Sequence, residues 1–223
     1  MNTTGFSKNM NMADNLLLEY GQEVRPLLLD IVSRIPDRQL PIHLTNEIRA
    51  INNHIARCFI EEKSDEQIIK ELGKAEGHLT RLEYDVYKQM NMFLYDKTIG
   101  EIERNGYEQM YGWYDSRWKS FRDQYYILKR ETAGFVNKAK LAESSGQDKS
   151  SVLSLYKQGF GKYRDLENLM IKQDFSSLKR KNMRHKVGLI AKKAVMTILV
   201  FLITTVIIHY GKVFYTLLEE RMS

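Results

Sequence analysis

The chain is poor in the residues that cross-link, bend or break a backbone. Of its 223 residues only one, Cys58, is a cysteine. A disulfide framework is therefore excluded, and the composition fits a reducing compartment. Only three prolines occur, so few positions forbid a helix interior. No segment shows strict polar/apolar alternation, so no sheet is expected. The start, "MNTTGFSKNMNMADN", is polar and has no apolar run of the secretory kind. The five histidines, His43, His54, His78, His185 and His209, are spread along the chain. No Cys-x2-Cys, His-x3-His or HExxH spacing appears, and "GFGKY" lacks the spacing of a phosphate-binding loop. Neither a metal nor another cofactor is expected.

Acidic residues are missing from one stretch in particular. "KRKNMRHKVGLIAKK", residues 179–193, carries seven Lys/Arg and no acid. The whole chain has a net charge of +6; without this stretch, 27 basic residues face 28 acidic ones. The remainder gives no case for a nucleic-acid groove. The next 18 residues, "AVMTILVFLITTVIIHYG" (194–211), contain no Asp, Glu, Lys or Arg. At about 1.5 Å per residue such a helix reaches roughly 27 Å, close to a hydrocarbon core of ~30 Å. Tyr210, Phe214 and Tyr215 supply an interfacial aromatic border. Thr197, Thr204 and Thr205 can bond back to their own helix, and they are the candidate pore-lining positions. His209 sits at the far end of the span.

Seven positive charges precede the span, and only Lys212 and Arg221 follow it. The positive-inside bias thus predicts a single-pass protein of the cytoplasmic (inner) membrane, with its N-terminus in the cytoplasm. Lys179, Arg180, Lys181, Arg184, Lys186, Lys192 and Lys193 are the candidate contacts to anionic lipid headgroups. The expected organisation is a disordered N-terminus (1–12), a cytosolic helical bundle (13–178), the basic juxtamembrane segment (179–193), the transmembrane helix (194–211) and a short tail (212–223).

Within the cytosolic part, apolar spacing predicts a first helix over about 13–35, kinked or interrupted at Pro26. "PDRQLP" makes a turn, and a second helix covers about 41–62. Ser64 and Gln67 form a capping-box pattern that opens a long third helix. Ile68, Leu72, Ala75, Leu79, Leu82 and Val86 step by four and three along it. This helix ends near Asn105-Gly106, with glycines that allow a bend. Tyr107, Tyr111, Tyr114, Trp118, Phe121 and Tyr125 carry the same spacing and predict a fourth helix. Such even spacing favours packing over a base-stacking platform of Trp113, Trp118, Arg117 and Arg122. After "ESSGQDKSS", a fifth helix starts near Ser151 and is expected to continue into the basic run. Heptad-like stripes on long helices point to an all-α, elongated bundle whose stripes pack within one chain or between identical chains.

The candidate chemistry lies in "NEIRAINNHIARCFI", residues 46–60. Ile48, Ile51, Ile55, Cys58 and Phe59 are the expected buried stripe. Arg49 and His54 are separated by four residues, a spacing shared by Arg38–His43 and Arg180–His185. Only the middle pair lies within a predicted helix among polar neighbours. Five residues turn a helix by about 500°, which points Arg49 and His54 roughly 140° apart on one ideal helix. A working pair would need a distorted turn or a composite site across a dimer. In metal-independent RNA cleavage, His54 would move a proton, Arg49 would stabilise the phosphorane and Asn53 would orient either group. Arg49 is expected to have an acidic or backbone acceptor.

This Arg-x4-His pair in an all-helical domain joined to a membrane span resembles the divergent HEPN-containing membrane accessory proteins of type VI-B CRISPR systems. The matching residues are Arg49 and His54, with Asn53 as polar helper. Ala50 stands where HEPN proteins usually carry a polar residue, and the pair falls early in the chain. The resemblance implies a HEPN-like helical fold, an accessory or effector role in antiviral defence, association with a membrane pore and an RNA-guided effector protein as partner; because a single span cannot enclose a channel, a homo-oligomer is expected. Three functions remain open: an oligomeric, membrane-permeabilising effector; a passive scaffold that recruits a cytosolic partner to the membrane; and a membrane-tethered ribonuclease acting on RNA through Arg49 and His54.

Overall fold

The computed structural model describes the backbone of residues 3–60 and 63–222, and the side chains of 11–59, 63–208, 210 and 211. Among these residues the secondary structure is entirely helical, in two units. The first is Met1–Asn105 with Phe121–Gln173; the second is Gly106–Ser120 with Asp174–Ser223.

In the first unit, α1 (Thr3–Glu19) takes in residues 3–12, which composition alone places outside the helix. It runs through a π-helical turn, Tyr20–Val24, into α2 (Arg25–Arg34). Pro26 has no N–H to give and its ring crowds the carbonyl four residues back. The backbone absorbs this by widening one turn: the N–H of Arg25 donates to the carbonyl of Tyr20, five residues earlier. The expected kink thus takes the form of a π turn.

α3 (Ile42–Ile60) follows the turn after Arg34, with the Pro41 carbonyl accepting from the N–H of Thr45. α4 (Asp65–Lys97) opens on the Ser64/Gln67 capping box, observed in both directions. It ends at Thr98, whose backbone leaves the helical region at φ −111°, ψ −87° and whose hydroxyl donates to the Leu94 carbonyl. The short α5 (Ile99–Arg104) then stops at Gly106, which adopts the left-handed region at φ 60°.

α4 is the element on which the unit is built. Ala75, Leu79, Leu82, Val86 and Met90 are buried with Leu16, Val24, Leu28 and Ile31 from α1, the π turn and α2, and with Leu44 and Ile51 from α3. Tyr87 on α4 joins Ala139 and Ala142 of α6 (Ser116–Ser144) and Val152, Leu153 and Tyr156 of α7 (Lys149–Ile171) in a second cluster. Gly146, at φ 72°, closes α6: the Gln147 N–H reaches the Ala142 carbonyl at 3.0 Å and that of Gly146 reaches Glu143. Asp148 caps α7 by accepting from the N–H of Ser150. Buried carboxylates complete the packing. Glu167 on α7 is met by Lys97 at 2.6 Å, Arg164 at 3.0 Å and Arg34 at 3.6 Å. Glu83 on α4 pairs with Lys157 of α7. A buried charge without such partners would be costly.

The second unit corrects two expectations. Residues 107–115 do not continue a helix. They form one 3-10 turn, Tyr107–Gln109, and successive bends, and α6 begins only at Ser116. α7 also stops at Ile171 instead of continuing, and Asp174 starts a new helix, α8 (Phe175–Met222), by accepting from the N–H of Ser177. The aromatic residues pack around Phe175, with ring centroids 4.7 Å away for Tyr107 and 5.3 Å for Trp118; Trp113 and Trp118 stack at 6.1 Å. Trp113 and Trp118 are buried, so they are packing residues, while Tyr111 and Tyr114 are exposed. Gly112 has no room for a side chain: a Cβ there would lie 2.8 Å from Leu178. Between Ala194 and Ile208, α8 buries no side chain. Every apolar side chain from Val195 to Ile208 is exposed, and α8 is long and apolar enough to cross a membrane.

The α3 stripe also differs from expectation. Ile51 is buried and Ile48, Ile55 and Cys58 are half-buried, but Phe59 is 79% exposed because it lies past the end of the apolar contact with α4. Ile51→Ala should therefore cost about 2–5 kcal/mol in urea denaturation, whereas Phe59→Ala should change stability by no more than ~0.5 kcal/mol. Equal losses would contradict this assignment of the buried face.

Candidate functional site

The short connection between α3 and α4 makes the two helices an antiparallel pair. His54 lies opposite Glu71 and Glu47 opposite His78, a constant register along the pair. On α3, Glu47, Ile51, His54 and Cys58 follow one another at steps of four, three and four, so they share the face turned to α4. On α4, Glu71, His78 and Arg81 are spaced by seven and three and face back. The helical period thus assembles polar side chains beside the apolar contact of Ile51 with α4.

The geometry is a pair of imidazole–carboxylate contacts. His54 Nδ1 lies 2.7 Å from Glu71 Oε2, and His78 Nδ1 lies 2.7 Å from Glu47 Oε2. The two imidazole rings stack on each other, with centroids 5.2 Å apart and planes 25° apart. Lys74 donates to the other oxygen of Glu71 at 2.6 Å, and Arg57 is 3.9 Å from Glu71. Arg81 donates from Nε to Glu47 at 3.3 Å. Its Nη2 is also 2.7 Å from His78 Nδ1. A nitrogen that donates to Glu47 cannot accept from Arg81 at the same time, so His78 Nδ1 serves either Glu47 as a donor or Arg81 as an acceptor. In the neutral His54 ring, donation from Nδ1 to Glu71 leaves Nε2 as the acceptor nitrogen.

Lys74, followed by His54, holds the Glu71 carboxyl down at about 2 through direct hydrogen bonds to its charged form. A carboxylate with a lowered native value adds stability above its ordinary value and loses that contribution as pH falls toward the native one.

The sequence-derived residues are only partly brought together. His54 turns toward α4, whereas Arg49 and Asn53 are exposed and make no side-chain hydrogen bond or ion pair among the described residues. The acceptor expected for Arg49 is not observed, and no contact joins Arg49 to His54. Histidines that look scattered in the sequence prove to be neighbours: His54 and His78 stack, and His185 stacks on Tyr111 at 3.7 Å with the rings nearly parallel. Glu47, Glu71 and His78 were not expected at the site. Pairing the two helices across their short connection is the sequence signal that would have found them. No group of three or more His, Cys, Asp or Glu side chains suited to a metal ion occurs among the described residues.

The basic run divides into two parts. Lys181 pairs with Asp115 and lies over the Tyr111 ring, and this bond holds the Asp115 carboxyl well below the usual range. Lys179 lies over Tyr107, and Arg180 reaches Ser176 and Asp174. The Asn182 side chain accepts from the N–H of Tyr111. Arg184, Lys186, Lys192 and Lys193 remain exposed, with no partner among the described residues. In the apolar stretch, Thr197, Thr204 and Thr205 donate to the carbonyls of Lys193, Val200 and Phe201, at 3.0, 2.8 and 2.9 Å. The side chain of His209 lies outside the described residues. Compared with known proteins, the chain has no significant match to a family model, a curated protein or a solved structure.

Glu71→Gln should flatten the acid limb of the stability curve. In the native chain, the Glu71 contribution is complete above about 4.5 and is lost as pH falls toward about 2. Urea midpoints measured across this interval should fall less in the variant. An unchanged acid limb would show that the Glu71 contacts do not form in solution.

Proposed function

We propose that the chain is a membrane-anchored accessory or effector of antiviral defence that oligomerises through its helical domain and permeabilises the membrane. The observation that carries this reading is the bare apolar stretch of α8: from Val195 to Ile208 no side chain is covered by the rest of the molecule. Contiguous apolar exposure on this scale calls for lipid or another helix. Placement in a type VI-B-like, HEPN-related defence setting rests on the Arg49-x4-His54 resemblance.

One helix cannot enclose a channel, so permeabilisation requires several copies. Thr197 and Thr204 are seven residues apart and share a face, with Thr205 beside it. Their hydroxyl hydrogens are already used within the helix, so they enter lipid at low cost. Their oxygens stay available as acceptors toward a wet lumen. Orientation follows the positive-inside bias, with the helical units cytoplasmic. α8 rises about 1.5 Å per residue, which puts Lys192 and Lys193 at headgroup level. Arg184 and Lys186 lie roughly 12–15 Å above the start of the span, and Lys179–Lys181 roughly 20 Å or more above it. The headgroup layer is only ~5–8 Å deep, so Lys192 and Lys193 dominate lipid attraction. Lys179 and Lys181 instead fasten α8 to the 106–120 segment, and Arg180 is held at the start of α8 by Asp174 and Ser176. The RNA-cleaving reading draws less support, because Arg49 and His54 make no contact with each other.

Reconstitution of the full chain into anionic vesicles tests the proposal. Wild type should resist carbonate extraction, cross-link as multimers and release an entrapped dye. Thr197→Leu with Thr204→Leu should insert equally well and release far less. Lys192→Gln with Lys193→Gln should weaken vesicle binding by roughly thirtyfold at low salt, at about 1 kcal/mol per lysine. Stable insertion without leakage would replace the permeabilising role with that of a passive scaffold. Extraction of the intact chain by carbonate would remove the membrane reading altogether.

A further inference from the structure

α8 carries a repeat that begins above its apolar stretch and runs on into it. Met183, Val187 and Ile190 follow one another at steps of four and three, and Ala194, Thr197, Phe201 and Thr204 continue the same steps. This is a heptad seam of the kind by which parallel helices pack. Toward the start of α8 it ends at Arg180, the next position in the repeat. Met183, Val187 and Ile190 are 67%, 59% and 67% exposed. The nearby cations Arg184, Lys186, Lys192 and Lys193 all fall off the seam. Within a membrane, lipid accounts for apolar exposure. Higher up it does not: Val187 and Met183 stand roughly 10 and 16 Å above the start of the span, past a headgroup layer of ~5–8 Å.

The folded part of the second unit leaves this face open. Leu178, Lys181, Asn182 and His185 are spaced by three, one and three, so they share one side of α8. That side meets the 106–120 segment. Leu178 is buried and lies against Gly112, and Lys181 pairs with Asp115. The Asn182 side chain accepts from the Tyr111 N–H at 3.2 Å, and His185 stacks on Tyr111. At about 100° per residue, Val187 and Ile190 lie on the opposite side of the helix.

Whatever covers the seam must be apolar in water and in lipid, in one unbroken register. A second α8 meets that condition at every level. The positive-inside bias points all copies the same way, so their heptads align. Lys186 and Lys193 flank the seam, and in a parallel pair they come opposite Ala191 and Ile198, not opposite another cation. We propose that copies of this chain associate in parallel through the α8 seam, which faces the axis of the bundle. Met183, Val187 and Ile190 form an apolar collar above the membrane. Thr197 and Thr204 surround the axis within it, with Phe201 between them. The proposal rests on the membrane-anchored reading above and adds an α8 contact to that of the helical domain.

Cysteine coupling in vesicles is the test, on the full chain with its free Cys58 replaced by serine. Met183→Cys, Val187→Cys and Ile190→Cys should each be joined into dimers by a short bis-maleimide. Gly188→Cys and Leu189→Cys, on other faces, should stay monomeric. Val187→Lys with Ile190→Lys sets like charges against each other in the collar and keeps good helix formers there. That pair should abolish coupling at Met183→Cys and dye release, while the chain still resists carbonate. Retention in the membrane with equal coupling on all faces would overturn the seam alone. So would coupling at Met183→Cys that survives the two lysines. Carbonate extraction of the wild type would overturn the membrane reading and the parallel seam with it.

Discussion

The first unit depends on the burial of α4 along most of its length. A 33-residue helix cannot hide a stripe from Leu72 to Leu94 on its own, and its neighbours are arranged by that need. α1 and α2 cover its N-terminal half from one side, α3 runs back along it from another, and α7 packs on its later turns. The π turn before Pro26 belongs to the same constraint. It lets α1 and α2 bend around α4 without leaving a carbonyl opposed by a proline ring.

Polar groups near this core are placed by the same packing. Glu167 and Glu83 are buried because α7 must approach α4, and they are tolerable because Lys97, Arg164, Arg34 and Lys157 reach them. The stacked His54–His78 pair with Glu71 and Glu47 lies at the flank of the α3–α4 contact, where helical periodicity stops supplying apolar residues. In the second unit, Phe175 and Leu178 gather Tyr107, Trp118 and the close turn at Gly112 against the start of α8. The helix that carries the apolar stretch is thereby tied to a folded segment, with Asp115–Lys181 and Tyr111–His185 as its polar fastenings.

Local features were legible where the physics is local. The Ser64/Gln67 box, the halt at Gly106 and the interruption at Pro26 each depend on a few consecutive residues. Two errors share a cause as well. The aromatic spacing over 107–125 matches a helical stripe, yet residues 107–115 turn and bend, with Tyr107 and Trp118 packed on Phe175 while Tyr111 and Tyr114 stay exposed. Apolar periodicity does not report whether the backbone between the apolar side chains is helical. Phe59 continues the α3 stripe by spacing but stays exposed among the described residues.

The sequence by itself determined the all-helical class, the long central helix and the charge-free apolar stretch behind a basic run. These follow from composition and from periods of three and four residues, which act within a single helix. Only the tertiary structure decided that His54 faces Glu71 and His78 while Arg49 faces solvent. It also decided that three of the seven basic residues of the run are engaged by Asp115, Asp174 and two tyrosine rings, and that Asn91 is left with an orphan oxygen beside Gly159. Each of these depends on the register and separation at which different segments of the chain pack. That separation is set by how whole apolar faces pack, and no short window of sequence contains it.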